Sequence, residues 1–166
     1  MPAAAAKLLA VASWNGFEHQ APDLSGAVRR QFTATLHCIL GTLRADGSPR
    51  LTGLEAHFGE SELWLAMMPD SRKADDLCRD PRFSLHSAPD LSMVEGDAKV
   101  NGLAIPVDND ETRALFAATL AQPPPSSGFA LFRAELTDAS LARVEGDHMV
   151  IDIWRDGEPP RQVRRQ

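Results

Sequence analysis

The chain has no tyrosine in its 166 residues, so no phenol hydroxyl is available to any ligand. It has two cysteines, Cys38 and Cys78, with neither a CxxC nor a zinc-ligand spacing between them. Both sit among apolar neighbours and read as small buried hydrophobes. The five histidines (His19, His37, His57, His86, His148) form no HxxxH or HExxH pattern, so no dedicated metal site is indicated. Gly-x-Gly-x-x-Gly, Walker and Gly-x-Ser-x-Gly motifs are missing, which points away from a Rossmann dinucleotide site and a serine hydrolase. An excess of basic residues is also lacking. The net charge is −6, which argues against non-specific nucleic-acid binding. No apolar run approaches the roughly 20 residues of a membrane span. Residues 8–12 are too short for the core of an export signal, so the sequence reads as cytoplasmic.

What is present fits an ordinary globular protein: 43% hydrophobic and 24% charged residues, at a length that suits one domain. Residues 1–12 are Ala-rich and read as helical or frayed. Residues 14–20 extend a helix that Pro22 ends, and 23–35 form a second, with Leu24, Val28 and Phe32 on one face. Residues 37–43 are nearly all apolar, which predicts a strand buried on both faces. Asp46-Gly47 is a strong turn signal. Residues 50–58 mix apolar and polar positions, which suits either a strand bordering a pocket or an edge strand. Further strands are expected at 62–67, 82–87, 96–107, 129–144 and 148–155, with a helix at 108–122 ended by three prolines. That makes about seven strands and two to four helices, and short hairpin links favour an antiparallel barrel.

The stretch 63–81 carries the most chemistry. A strand end and Pro69 lead to Ser71, a good N-cap for a helix that carries Asp75 and Asp76. The next two residues, Arg72 and Lys73, are cations at the positive end of a helix dipole, which costs about a few tenths of a kcal/mol each. A bound phosphate would reverse that cost by meeting both side chains, the Ser71 hydroxyl and the free backbone N–H groups. Taken alone, the tripeptide better suits a solvated helix start, and it is the surrounding strands that favour the anion.

The order of these elements resembles the FMN-binding split barrel of the pyridoxamine 5'-phosphate oxidase-like family. The match is an apolar strand, a D-G hairpin followed by Pro49-Arg50, two strands, Ser71-Arg72-Lys73 opening a helix, then residues 79–82, Arg-Asp-Pro-Arg. The resemblance implies a mainly β fold with flanking helices, an antiparallel split β-barrel. It implies one domain over 1–166: a helical segment 1–35, a barrel 36–158 and a basic tail 159–166. It further implies FMN bound at the interface of a homodimer. Arg72 and Lys73 would grip the phosphate near Ser71. Arg50, Leu51 and Thr52 would supply second-strand contacts, and Ala66 and Met67 would lie along the flavin. Asp97 falls near a position that is glutamine in the oxidases. Trp154 matches a C-terminal tryptophan, and Arg165, or else Arg164, a closing arginine. The arginines at 161, 164 and 165 equally suit a disordered tail.

The departures bear on substrate. The oxidases keep a lysine where this chain has Glu55, and an Arg-x-His where Arg161 is followed by Gln162 and Val163. A tyrosine for the substrate phosphate cannot be present. The resemblance therefore implies a flavin-dependent oxidoreductase on a small organic substrate other than pyridoxamine phosphate, with no evident catalytic acid or base. Two alternatives use the same scaffold. One is an F420-dependent reductase. The other is a flavin- or haem-binding module without turnover, with His57 or His86 as the candidate iron ligand.

Overall fold

The computed structural model describes residues 10–166. Two helices lead, α1 (Trp14–Gln20) and α2 (Pro22–Thr33). Then come β1 (Cys38–Leu43), β2 (Pro49–Leu54), β3 (Ala56–Phe58), β4 (Leu63–Met67) and α3 (Arg72–Arg79). They are followed by β5 (Arg82–His86), β6 (Asp97–Pro106), α4 (Asp110–Thr119), β7 (Ala130–Glu145), β8 (His148–Arg155) and β9 (Arg161–Arg165).

The nine strands form one antiparallel sheet whose main path runs β2-β1-β5-β6-β7-β4-β3, with β8 and β9 added beside β7. Strands β2 and β3 stand at opposite ends of this path, yet only Glu55 separates them in the chain. The sheet must therefore curl until its two ends meet. No ladder joins β2 to β3 or β4 among the described residues, so the barrel is split at that seam. A bulge aids the curvature: Asn101 pairs with Asp138 and Gly102 with Leu136, leaving Thr137 unmatched. Glycine is required at 102, because a Cβ there would lie 2.0 Å from the Glu135 carbonyl oxygen.

Leu40, Leu65, Leu85, Val100 and Leu136 fill the barrel and are fully buried. Each contributes about 1.5–3 kcal/mol. Helices α1 and α2 cap one end with Trp14, Phe17, Val28 and Phe32. Ser13 caps α1 by accepting from the Gly16 N–H. Among the described residues no helix is long and apolar enough to cross a membrane.

Several expectations are corrected. Residues 1–9 lie outside the described residues, while Ala12 forms a bridge with Leu136 rather than a helix. Strand β1 alternates: Cys38, Leu40 and Thr42 are buried but Ile39 is exposed, because no described residue covers the outer face there. Residues 50–58 are two strands broken at Glu55, since β2 pairs with β1 and β3 with β4. The supposed basic tail is β9, whose backbone completes the free edge of β8. These two changes raise seven strands to nine. In α4 only Phe116 is buried, and Leu115 beside it is exposed. Cys78 is exposed on α3, whereas Cys38 is buried, and burial pushes its thiol up to about 11.

Candidate functional site

The site is built by the β1–β2 hairpin and the start of α3. Gly47 takes φ +81° in the turn, and Asp46 accepts from the Ser48 N–H and hydroxyl. This register sets Thr42 opposite Arg50. Along β2, Arg50, Thr52 and Leu54 share the better-buried face, while Pro49, Leu51 and Gly53 are exposed.

Helix α3 opens as expected. Ser71 is the N-cap, its hydroxyl accepting from the Ala74 N–H at 3.4 Å. The first N–H groups of a helix have no partner within it. Arg72 is 82% exposed and only loosely paired with Asp75 at 3.8 Å. Lys73 turns back to donate to the Gly53 carbonyl at 2.6 Å, which seats the basic first turn on β2. Partial burial pulls its ammonium below the usual lysine range.

One turn further, Asp76 is 2% exposed, an unusual place for a carboxylate. Its Oδ2 accepts from Arg50 Nε at 2.6 Å and from the Thr42 hydroxyl at 2.8 Å. Its Oδ1 accepts from Arg79 Nη2 at 2.9 Å. Burial alone would raise the carboxyl, but these three donors outweigh it and hold it down at about 2. Two guanidiniums facing one carboxylate leave the cluster net positive. On the same face of β2 as Arg50, the Thr52 hydroxyl is buried with no hydrogen-bond partner among the described residues. A solvated helix start accounts for neither the orphaned hydroxyl nor the anchored arginine. Both fit a site that receives an anion.

The pyridoxamine 5'-phosphate oxidase family profile matches residues 24–142. The chain belongs to this family. The match runs from α2 into β7 and so takes in the whole β2–α3 site. Among solved structures, the chain is similar to a pyridoxamine 5'-phosphate oxidase-related, FMN-binding protein from Nostoc punctiforme. That match has a TM-score of 0.64 at 14% identity, covering 88% of this chain and 96% of that one. PhzG from Burkholderia lata, solved with tetrahydrophenazine-1-carboxylic acid, gives 0.63 at 15% identity, covering 90% and 96%. An F420 reductase gives 0.51 at 20% identity, covering 63% and 89%. These likenesses establish the split-barrel fold. No curated protein matches the chain.

Within this family frame, the residues expected at the site divide. Arg50, Thr52, Ser71, Arg72 and Lys73 come together, and Leu51 lies on the outer face of β2 at 72% exposure. Ala66 and Met67 end β4 on the approach to α3, half-buried and buried. Asp97, Trp154 and Arg165 make no contact with this group among the described residues. Asp97 opens β6 and accepts from the Asp90 N–H, fixing the loop before it. Trp154 is fully buried, stacked on Phe17 with ring centroids 4.5 Å apart, and its Nε1 donates to Gln20. It is thus a core residue, because α1 covers the ring. Arg165 lies on β9 opposite Met149, and Arg164 pairs with Glu145 at 3.1 Å. Of the two histidines named for iron, His57 packs edge-on against Phe116, and His86 Nδ1 lies 2.7 Å from the Ser87 carbonyl oxygen.

An open cleft of about 690 Å³ lies elsewhere, between α2 and strands β7 to β9, with Arg143, Asp152, Arg161 and Gln162 on its wall. Sequence reasoning missed Thr42, Asp76 and Arg79. The hairpin signal pairs Thr42 with Arg50, but nothing local places α3 over that pair.

Proposed function

We propose that the chain binds a flavin by its phosphate and acts as a flavin-dependent oxidoreductase on a small organic substrate. The observation that carries this reading is the seating of the first turn of α3 on β2 through Lys73 and the Gly53 carbonyl. Around that contact lie a guanidinium, an ammonium, hydroxyls and helix N–H groups, the donor set that a phosphate dianion takes up. FMN is favoured because an FMN-binding protein of the family shares the fold over 88% of this chain. F420 is the second reading, since its phosphate suits the same donors and an F420 reductase also shares the fold.

When bound, the flavin supplies hydride transfer at N5. The chain's part is to hold the phosphate with Arg50, Ser71, Arg72 and Lys73 and to lay Ala66 and Met67 along the cofactor. A second copy completes the site: Leu51 and Met68, each 72% exposed, flank it and would be covered in a homodimer. Pyridoxamine phosphate is not the substrate on this reading, given Glu55, the missing tyrosine and the Arg161-Gln162-Val163 sequence.

The visible spectrum of freshly purified protein, with mass spectrometry of the released molecule, tests the proposal. A flavin or deazaflavin band is expected. Failure of both FMN and F420 to bind in titrations at micromolar concentration overturns it.

A further inference from the structure

We infer that Asp76 is a positioning residue, whose buried carboxylate fixes the Arg50 guanidinium so that its two terminal nitrogens meet the cofactor phosphate. The inference rests on the reading of β2 and the first turn of α3 as the phosphate site. Its basis is the way Arg50 is used. Nε, the one donor on the inner side of the guanidinium fork, is taken by Asp76 Oδ2 at 2.6 Å. Among the described residues, neither Nη group has a partner. The Arg50 side chain is 23% exposed, so the fork reaches solvent while its stem is held.

Asp76 is itself fixed from three sides. Thr42 stands opposite Arg50 across the hairpin and shares Oδ2 with it. Arg79 holds Oδ1 and also donates to the Leu43 carbonyl at 2.7 Å, tying the carboxylate to β1. The cluster therefore keeps a positive charge and presents it as a planar, two-pronged donor. A free arginine would have to give up rotamer entropy on binding, and this one has already done so. The Thr52 hydroxyl, next on the same face of β2, adds a buried donor without a partner among the described residues.

A purely structural role would place Asp76 as a tie between α3 and the hairpin, indifferent to what binds. FMN and riboflavin separate the two roles, because they differ only in the phosphate. Titration of cofactor-free wild type, Asp76→Asn, Arg50→Ala, Lys73→Ala and the Arg50→Ala/Asp76→Asn double variant gives the ratio of the two affinities for each. Asp76→Asn is expected to weaken FMN binding by roughly tenfold, about 1.4 kcal/mol, and to leave riboflavin binding within twofold. In the Arg50→Ala background the same change is expected to have no effect. Equal losses for both flavins in Asp76→Asn overturn the inference in favour of the structural tie. So does an FMN affinity that is unchanged or raised in Asp76→Asn, or a full Asp76 effect that persists without Arg50. If Lys73→Ala still weakens FMN in those cases, the phosphate site survives without the Asp76 role. If Lys73→Ala and Arg50→Ala also leave the ratio unchanged, the phosphate site falls and the inference with it. Should Asp76→Asn not fold, Arg50→Lys decides. A lysine keeps the charge but cannot hold Asp76 and offer a fork together, so a tenfold loss for FMN alone supports positioning and full retention overturns it.

Discussion

Acid should unfold this protein partly through Asp76. Its carboxyl is lowered from 3.8 to about 2 in the folded state. A depressed carboxylate contributes stability that is fully present above the unfolded value and is lost as pH falls through the folded one. The window is therefore pH 4 down to pH 2. The whole shift corresponds to ~2.5 kcal/mol at ~1.4 kcal/mol per unit. Arg79 is 42% exposed, and solvent screening there trims this to ~1–2 kcal/mol. Urea denaturation at intervals between pH 6 and pH 2.5, on wild type and Asp76→Asn, isolates the contribution. Other carboxylates cancel in the difference, including Asp80, which Arg82 also holds at about 2. The wild type is expected to be more stable by the larger margin at pH 6, and the gap should shrink toward pH 2.5. A gap that stays constant across the range refutes the argument, because Asp76 would then not be ionised against its three donors.

Lys73→Ala removes a charge-assisted contact worth ~1.5–3 kcal/mol, so FMN affinity should fall by about 10- to 100-fold. Arg72→Ala should cost less, since that side chain is solvated before binding, and calorimetric titration of both variants checks the order. Light scattering should give about twice the 18.0 kDa chain mass, and Leu51→Glu together with Met68→Glu should return a monomer with weakened flavin binding. Gly102→Ala should lower the melting temperature sharply or abolish folding, because its methyl would overlap the Glu135 carbonyl oxygen. A near-wild-type melting curve would show that the bulge can relax.

Local chemistry made much of this structure legible in the sequence. The Asp46-Gly47 turn and the Ser71 cap involve residues within four positions of one another, and both are found where the sequence puts them. The helical stripe of Leu24, Val28 and Phe32 is buried as its spacing requires. What was not legible depends on distant partners. Residues 161–165, RQVRR, have no strand pattern of their own, and β9 exists because β8 offers an unpaired edge. Asp76 reads as a helix-dipole charge until Arg50, 26 positions earlier in the chain, is brought beneath it. Trp154 reads from the sequence as a cofactor-site residue, yet α1 decides that it is core.

The single residue between β2 and β3 also dictates how the barrel can move. At Glu55 the two rims of the seam are two peptides apart, so their ends cannot separate by more than about 7 Å, two residues of extended strand. Any relative motion of the rims must therefore pivot there, and the free end spreads like the jaws of a peg. Arg50 lies five residues along the jaw, ~17 Å from the pivot at that same rise per residue. A rotation of 5° at Glu55 would carry Arg50 by ~1.5 Å on that lever. The bond from Arg50 to Asp76 fastens this long arm to α3, and so the tie that aims the guanidinium also limits the swing of β2.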